Sequence, residues 1–422
     1  MERLALSGGR PVRTRPFPLW PQAGPEETRY LDRVLKGNRW FAGARGDDPD
    51  SLGCLFGSRF AELHNAAFGF PVANGSVAIE IALRAVGIEP GDEVIVPAYT
   101  FVSTATSVIM VGGIPVFADI DPRTYCLSPD DLLHRIGPRT RAIIPVHLGG
   151  HMANMESIVA LAREKDLFVV EDCAQAIGAG IGARKAGTWG HLGTFSFQSN
   201  KTVTSGEGGL VLADDPELAG RVVAFRAFGR ASGGPLERSS SLSSRWLSSN
   251  YRLSELQAAV LLAQLERFPV QDERRQANAG YLTSGLRRIP GIEHVRHDLP
   301  GMKHGYYYYL VRYEPESFKG LSPERLCRTL NAEGIPFLPG DQEPIYRNPV
   351  FEVDNLRRFV SGDILKRYRE SIDPAGFRCP AAEDACGRTL LLRHQVLLAE
   401  REDMDDISEA LWKVRKNLDQ LL

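Results

Sequence analysis

The sequence has almost no excess of either charge: 50 Lys and Arg stand against 52 Asp and Glu, which gives a formal net charge of −2. A near-neutral chain has no electrostatic reason to bind nucleic acid or an anionic membrane surface, and we predict neither partner. Long hydrophobic runs are missing too. No segment reaches the roughly 18 uninterrupted apolar residues of a transmembrane helix. Arg and Pro interrupt the N-terminal stretch, which lacks the apolar core of a signal peptide.

Cysteine is scarce, and its pattern argues against several kinds of site. The six cysteines among 422 residues form no CxxC pair and are too sparse for a disulfide scaffold. We therefore expect reduced thiols and a cytoplasmic protein. The nine histidines do not cluster with the cysteines at ligand spacing, so we predict no metal site.

Short apolar runs are present, and they alternate with helix-like stretches between about residues 70 and 215. Gly, Pro or Asp bounds each run, which is typical of strands covered on both faces. We predict strands at 93–97 (EVIVP), 114–120 (IPVFADI), 142–146 (AIIPV), 167–171 (LFVVE), 194–197 (TFSF) and 209–213 (GLVLA). Helix-like segments such as 152–165 lie between them, so the predicted fold class is α/β with a mostly parallel sheet.

The second part of the chain has a different pattern. Residues 253–289 are typical of a long linker helix, and 290–422 mixes strands such as 306–313 (YYYYLVRY) with helices. We predict a large α/β domain at 1–265, and at 266–422 the linker helix with a smaller C-terminal α+β domain. The Ser-rich segment 232–249 is predicted to be a loop, either a functional lid or a connection.

Small residues open a helical pattern at 73–78 (ANGSVA). The first turn of a helix leaves backbone N–H groups without partners, and Gly75 and Ser76 add a close approach and a hydroxyl. Such a helix start binds an anion well. The plain alternative is an ordinary helix cap by Asn74 or Ser76.

An acidic pair ends one predicted strand, within 171–176 (EDCAQA). Ligands of open α/β sheets bind at the carboxyl ends of the strands, where Asp172 is placed to hold a positive ring nitrogen. A helix cap is the alternative. Glu171 need not contact the ligand, because neighbouring strand residues point to opposite faces.

A lysine follows another predicted strand in 194–201 (TFSFQSNK), and a glycine-rich stretch, 202–209 (TVTSGEGG), comes after it. The Lys201 amine is nucleophilic only when it is neutral, and a partly desolvated pocket favours that form. On its own, this stretch fits a surface lysine before a hairpin turn better.

A fourth segment, 249–259 (SNYRLSELQAA), places Asn250 and Arg252 just before a helix that Ser254 is able to cap. Taken together and in this order, the segments resemble one family. The chain resembles the sugar and aminocyclitol aminotransferases of the DegT/DnrJ/EryC1/StrS family in its motifs NGSVA, PAYTF, EDCAQA, FSFQSNK, GEGG and NYRLSELQAA. The resemblance runs from about Trp20 to the last helix.

This resemblance implies a fold-type-I aminotransferase. Its cofactor would be pyridoxal 5′-phosphate, alternating with pyridoxamine 5′-phosphate, and it would form a homodimer with shared active sites. Lys201 would hold the cofactor as a Schiff base and shuttle a proton. Asp172 would pair with the pyridine nitrogen, Gln175 would bond the ring hydroxyl, and Phe101 would stack on the ring. The remaining contacts, all to cofactor phosphates, would come from Gly75, Ser76, Val77 and Ser196, and from Asn250 toward the other subunit.

The stretch before the lysine points to one branch of the family. Nucleotide-sugar enzymes commonly carry His-Pro there, whereas 198–200 is QSN, which is similar to enzymes of free carbocycles. The nearest likeness is to the L-glutamine:scyllo-inosose aminotransferases of aminoglycoside-type antibiotic biosynthesis. It implies transfer from an amino acid such as L-glutamine to a keto-cyclitol, scyllo-inosose or 2-deoxy-scyllo-inosose. A 3-amino-5-hydroxybenzoate synthase-like enzyme, a nucleotide keto-sugar aminotransferase and a non-catalytic regulatory protein stay open as alternatives.

Three residues are candidates for substrate contact: Tyr346 in the second part of the chain, and Arg39 with Trp40 near its start. For each, the alternative is a packed or surface side chain. We expect the tyrosines at 306–309 to serve mainly in strand packing and His394 to be structural. A nicotinamide-dependent oxidoreductase is disfavoured, because the glycines at 178–182 lack the G-x-G-x-x-G spacing.

Overall fold

The computed structural model describes residues 3–41, 50–229, 244–295, 299–357, 360, 362–371 and 377–421. Most of the predicted loop at 232–249 lies outside these residues. In the described part of the chain, no helix combines the length and apolarity that crossing a membrane requires.

The strands are β1 (Phe68–Val72), β2 (Glu93–Pro97), β3 (Ile114–Ala118), β4 (Thr140–Ile143), β5 (Phe168–Asp172), β6 (Gly180–Ile181), β7 (Arg184–Lys185), β8 (Leu192–Ser196), β9 (Gly209–Ala213), β10 (Ile292–His294), β11 (Met302–Lys303), β12 (Tyr308–Tyr313), β13 (Leu338–Pro339) and β14 (Thr389–Arg393). The α-helices are α1 (Pro25–Gly37), α2 (Leu52–His64), α3 (Gly75–Ala85), α4 (Ser103–Met110), α5 (Pro129–Arg135), α6 (Met155–Glu164), α7 (Pro216–Arg226), α8 (Glu255–Leu286), α9 (Pro323–Ala332), α10 (Val353–Leu356), α11 (Gly362–Ser371), α12 (Pro380–Arg388) and α13 (Asp403–Lys416). Short 3₁₀ turns cover Ala5–Ser7, Leu148–Gly150, Pro315–Phe318, Ile345–Arg347, Pro349–Phe351, His394–Leu398 and Leu418–Leu421.

The large sheet has seven strands in the order β1-β9-β8-β5-β4-β2-β3. Every neighbouring pair from β8 to β3 is parallel, and β9 runs antiparallel to both of its neighbours. All residues of β2, β3, β8 and β9 are buried, which explains their continuous apolar sequences. This confirms the predicted α/β fold with a mostly parallel sheet.

Two strands differ from the prediction for identifiable reasons. Strand β4 begins earlier and ends at Ile143, because Pro145 has no amide hydrogen with which to continue the ladder. Strand β1 was not predicted, since its sequence FGFPV contains Gly and Pro, which are depleted in strands. Its place at the edge of the sheet, where it pairs with β9, tolerates the proline.

A second, antiparallel sheet has the order β10-β12-β14-β13 and packs on a separate hydrophobic core. The N-terminal segment belongs to this core, because Leu4 is fully buried in it. The Glu333 carboxylate there accepts hydrogen bonds from the backbone N–H groups of Ala5 at 2.8 Å and Val12 at 3.1 Å. Helix α8 runs through the predicted domain boundary at residue 265, and the division into 1–265 and 266–422 stays a prediction.

Candidate active site

A cavity of about 830 Å³ lies where the parallel strands of the large sheet end. Asp172 reaches it from the end of β5 and Ser196 from the end of β8, while Gly75 reaches it from the start of α3. The cavity brings together eight of the residues singled out from the sequence: Gly75, Ser76, Val77, Phe101, Asp172, Gln175, Ser196 and Lys201.

Lys201 sits in a turn just beyond β8, where its backbone N–H donates to the Gln198 carbonyl at 2.8 Å. Its Nζ lies 4.1 Å from the centroid of the Tyr307 ring. Burial lowers the pKa of the Lys201 amine to about 8, although the nearby Asp172 carboxylate acts in the opposite direction. A sizeable neutral fraction near neutral pH is what a nucleophilic or proton-transferring lysine requires.

Asp172 is fixed by donors on both of its oxygens. The Thr104 hydroxyl donates to Oδ2 at 2.8 Å, and the Ala174 N–H donates to Oδ1 at 3.1 Å. Because the Thr104 hydroxyl gives its proton to Asp172, it accepts from the Thr100 hydroxyl, 3.2 Å away. These two hydrogen bonds fix the orientation of the carboxylate, which lines the cavity.

Gln175 follows Asp172 and has one end of its amide already bonded. The Gly149 N–H donates to Gln175 Oε1 at 2.7 Å. This bond assigns the oxygen of the side chain and leaves its NH₂ group as the donor that faces the cavity.

The start of helix α3 packs very closely against the end of β8. A Cβ on Gly75 would lie 2.7 Å from Cβ of Ser196, so only glycine allows this approach. Asn74 caps the helix, since its Oδ1 accepts from the Val77 N–H at 2.9 Å. The cap is therefore present, and the N–H groups of Gly75 and Ser76 have no hydrogen-bond partner in the described part of the chain, so the anion site stays a prediction.

Four of the other singled-out residues lie outside the cavity lining. Asn250 is exposed and pairs with Ala227 in an isolated bridge. Arg39 makes an ion pair with Asp50 at 3.3 Å, and Trp40 is 57% exposed. The Tyr346 hydroxyl donates to the carboxylate of Glu383, which also lies outside the lining, at 2.6 Å. Phe101, by contrast, lines the cavity and is 67% exposed.

Several site residues did not stand out in the sequence. Thr104 and Gly149 escaped notice because their partners are distant in the chain. The expectation that the tyrosines at 306–309 serve in strand packing was wrong for two of them: Tyr307 and Tyr308 line the cavity. Alternation could not have separated them from Tyr306 and Tyr309, because Tyr307 and Tyr308 are neighbours and β12 begins only at Tyr308.

Glu171 faces away from the cavity, as expected, and is fully buried. Its carboxylate accepts from the N–H groups of Gly187 at 2.9 Å, Trp189 at 2.6 Å and Gly190 at 2.7 Å, and from His147 Nε2 at 2.9 Å. Glu171, His147 and Cys173 form a group of metal-ligand types in the described part of the chain. The carboxylate and imidazole are already occupied, because His147 Nδ1 accepts from the Ala153 N–H at 3.1 Å.

This set of groups fits pyridoxal phosphate. Two free amides at the start of α3, close to the Ser196 hydroxyl, suit a phosphate. A fixed carboxylate suits a protonated ring nitrogen, and a lysine with a lowered pKa suits an aldehyde carbon.

Comparisons with known proteins agree with this fit. The model of the DegT/DnrJ/EryC1/StrS aminotransferase family matches residues 21–412. The chain is 37% identical to the L-glutamine:scyllo-inosose aminotransferase of Streptomyces griseus, over 98% of each chain. It is 36% identical to the L-glutamine:2-deoxy-scyllo-inosose aminotransferase of Micromonospora echinospora, over 99% of each.

Among solved structures, the crystal structure of 3-amino-5-hydroxybenzoic acid synthase superposes with a TM-score of 0.83 at 31% identity, covering 95% of this chain and 99% of that one. These matches extend over nearly the whole length of the molecule. The chain belongs to the DegT/DnrJ/EryC1/StrS aminotransferase family and is a pyridoxal-phosphate-dependent aminotransferase.

Proposed function

We propose that this enzyme transfers the amino group of L-glutamine to an uncharged polyhydroxylated keto-cyclitol such as scyllo-inosose or 2-deoxy-scyllo-inosose. The named activities of the full-length relatives support both the donor and the acceptor. Such a reaction belongs to the biosynthesis of aminoglycoside-type compounds.

The charges that line the cavity carry this proposal. Among the described lining residues Lys201 is the only base, whereas four are acids: Glu80, Asp172, Glu207 and Asp341. Proteins hold the phosphates of a nucleotide with Arg and Lys, whereas the hydroxyl groups of a cyclitol donate to carboxylates. The lining therefore favours a polyol acceptor over a nucleotide keto-sugar.

Each residue of the cavity takes a role that follows from its contacts. Asp172, fixed by the hydrogen bond from Thr104, would pair with the ring nitrogen of the cofactor, and the NH₂ of Gln175 would donate to the ring oxygen. Phe101 would stack on the ring. The amides of Gly75 and Ser76, with the Ser196 hydroxyl, would hold the phosphate. Val77 was assigned the same role from the sequence, but its N–H already donates to Asn74, so its part stays a prediction.

Lys201 carries the cofactor and the proton chemistry. Pyridoxal phosphate supplies, when bound, an electron sink for the substrate carbon that bears nitrogen. Lys201 Nζ removes the proton from that carbon of the donor and later delivers one to the corresponding carbon of the acceptor. A lowered pKa suits both directions, since the amine changes protonation state in each.

The exposed positions Asn250, Arg39 and Trp40 support a homodimer with active sites shared between its subunits. All three lie outside their own cavity, and Phe41 and Ser254 pair in an isolated bridge that joins their two segments. Asn250 then reaches the cofactor phosphate of the other subunit, and Arg39 and Trp40 reach its entrance. Light scattering on the purified enzyme gives the mass directly, and a monomer that retains full activity contradicts the shared site.

Tyr346 remains a predicted substrate contact, but none of its hydrogen bonds supports this role.

We place this chemistry in the cytoplasm. All six cysteines are free thiols and five of them are buried, which suits a reducing compartment.

An acceptor screen tests the substrate. Glutamine is supplied with scyllo-inosose, 2-deoxy-scyllo-inosose, an aminodehydroshikimate-type carbocycle or a nucleotide keto-sugar, and amination is followed by mass spectrometry. We expect the inososes to be aminated with the highest kcat/KM. Amination of the nucleotide sugar alone overturns the proposal, and amination of the dehydroshikimate-type ring alone makes the enzyme a relative of the 3-amino-5-hydroxybenzoate synthases. Lack of turnover and of cofactor uptake favours a regulatory protein.

A further inference from the structure

The residue that precedes the active-site lysine is held at three points. The Asn200 N–H donates to Gln198 Oε1 at 2.9 Å, within the same turn. Its other two contacts come from the far end of the chain: Arg393 Nη1 donates to Asn200 Oδ1 at 3.3 Å, and His394 Nε2 lies 3.1 Å from the Asn200 carbonyl oxygen. The peptide that leads into Lys201 is therefore anchored to the end of β14.

His394 also holds the residue on the other side of the amine. Its backbone N–H donates to the Tyr307 carbonyl at 3.2 Å. The Tyr307 ring is the one that lies 4.1 Å from Lys201 Nζ. A single residue outside the cavity lining thus fixes both the backbone before Lys201 and the aromatic surface beneath its amine.

The surroundings of His394 keep its ring neutral. The imidazole is fully buried, and Trp20 packs edge-on against it with ring centroids 4.5 Å apart. Burial, with the charges of Arg275, Arg393 and Lys201, holds the pKa of His394 well below its ordinary value. A neutral imidazole has one N–H, and the contact with the Asn200 carbonyl places it on Nε2. His394 Nε2 is therefore the donor to the Asn200 carbonyl.

We propose that His394 is a positioning residue for transamination, which sets the Lys201 amine through the Asn200 carbonyl on one side and through Tyr307 on the other. The sequence suggested only a structural histidine. Loss of the Nε2–H donor frees the peptide before Lys201, and the amine gains access to water. Its pKa then rises toward the ordinary lysine value and its reach to the substrate carbon becomes less well defined. This inference rests on the proposed role of Lys201.

The test measures the Lys201 amine directly, apart from turnover. The full-length apoenzyme is labelled with an amine-reactive reagent across a pH series, and the peptide that contains Lys201 is quantified by mass spectrometry. The parent enzyme should give a midpoint near 8. We expect His394→Leu to raise the midpoint by about one unit. In the holoenzyme, the same change should lower kcat about tenfold with little change in either KM.

Matched variants separate positioning from stability. His394→Gln keeps an N–H near the Nε2 position and should recover most of kcat and of the labelling midpoint. His64→Gln removes another fully buried histidine, which hydrogen-bonds to Ala186 and Gly178, and should lower stability without moving the midpoint. Arg393→Met removes the second contact to Asn200 and should shift the midpoint in the same direction by a smaller amount.

Two results overturn the proposal: an unchanged midpoint and kcat in folded His394→Leu, or equal midpoint shifts in His394→Leu and His64→Gln. If His394→Leu fails to fold, the Arg393→Met variant provides the test instead. An unchanged pH midpoint of Lys201 labelling in that variant also overturns the proposal. Failure of the Lys201 assignment is distinguishable, because Lys201→Ala would then keep turnover whatever the labelling shows.

Discussion

The cavity has two walls of different construction. The inner wall, defined as Gly75, Asp172, Gln175, Ser196 and Lys201, lies at strand ends and at the start of α3. The outer wall, defined as Tyr307, Tyr308, Leu338, Pro339 and Asp341, comes from the second sheet and the segment after β13. Backbone N–H groups fix the inner wall, since Ala174 holds Asp172 and Gly149 holds Gln175.

The outer wall has fewer such anchors. The Tyr308 hydroxyl donates to the Tyr307 hydroxyl at 3.2 Å, and the Asp341 carboxylate has no hydrogen bond or ion pair in the described part of the chain. The inner wall has to hold one cofactor in one pose, whereas the outer wall has to select an acceptor. The inner wall therefore determines the reaction, and the outer wall determines the acceptor. Substitutions on the two walls should therefore change different kinetic constants.

The largest effect should come from Lys201→Ala on the inner wall. We expect kcat to fall by about 10⁴-fold, because the one base among the described lining residues is lost. The variant should still bind pyridoxal phosphate, since the phosphate and ring contacts remain. Equilibrium dialysis measures the binding, and borohydride reduction followed by peptide mass spectrometry should attach the cofactor to Lys201 in the parent enzyme only. Retained turnover removes Lys201 from the mechanism.

Asp172→Asn should follow, with kcat lower by about 100-fold, because a neutral amide does not stabilise a protonated ring nitrogen. Glu171→Gln is the matched change on the neighbouring residue, which faces away from the cavity. Its amide would present two N–H hydrogens to a site that holds four donors, so we expect a loss of about 3 kcal/mol in the free energy of unfolding. Urea denaturation and steady-state kinetics should separate the pair: activity is lost in one and stability in the other. Equal losses of both in the two variants contradict the assignment.

The pH dependence of cofactor uptake should show a smaller effect, of about tenfold. With a pKa near 8, the Lys201 amine is about one tenth neutral at pH 7. Because a lowered lysine pKa makes the neutral form dominant above that value, uptake of pyridoxal phosphate by the apoenzyme should speed up as the pH rises through 8 and then level off. Stopped-flow absorbance measures the rate. A midpoint above 10 would mean that the amine is solvated and the inner wall is not desolvated as described.

Much of the inner wall could be predicted from the sequence, because the patterns that indicate its residues are local. A strand end with Asp172, a lysine after a buried strand and a glycine at a helix start each occupy a few consecutive residues. Their joint order identified the family before any contact was known. The fold followed for a similar reason, since short apolar runs bounded by breakers indicate buried parallel strands.

Contacts between distant parts of the chain could not be predicted from the sequence. Three of the four donors to Glu171 come from a turn near residue 188, and Thr104 reaches Asp172 from helix α4, so neither pairing is visible in a local pattern. Tyr346 stays a predicted substrate contact. Its hydrogen bond to Glu383, more than thirty positions along the chain, is a further contact that no local pattern predicts. The partners of these side chains depend on which surfaces the folded chain brings together.

The smallest effect should come from Asp341→Asn on the outer wall. Burial raises the pKa of this carboxyl, so its charge is costly unless a ligand donates to it. We expect the KM for the keto-cyclitol to rise about fivefold, with kcat and the KM for glutamine nearly unchanged, because one hydrogen bond to the acceptor is weakened. Glu343→Gln removes the same charge two positions away, outside the cavity lining, and should leave all three constants at their parent values. A fall in kcat with an unchanged acceptor KM would place Asp341 in the chemistry, and the distinction between the two walls would then not hold.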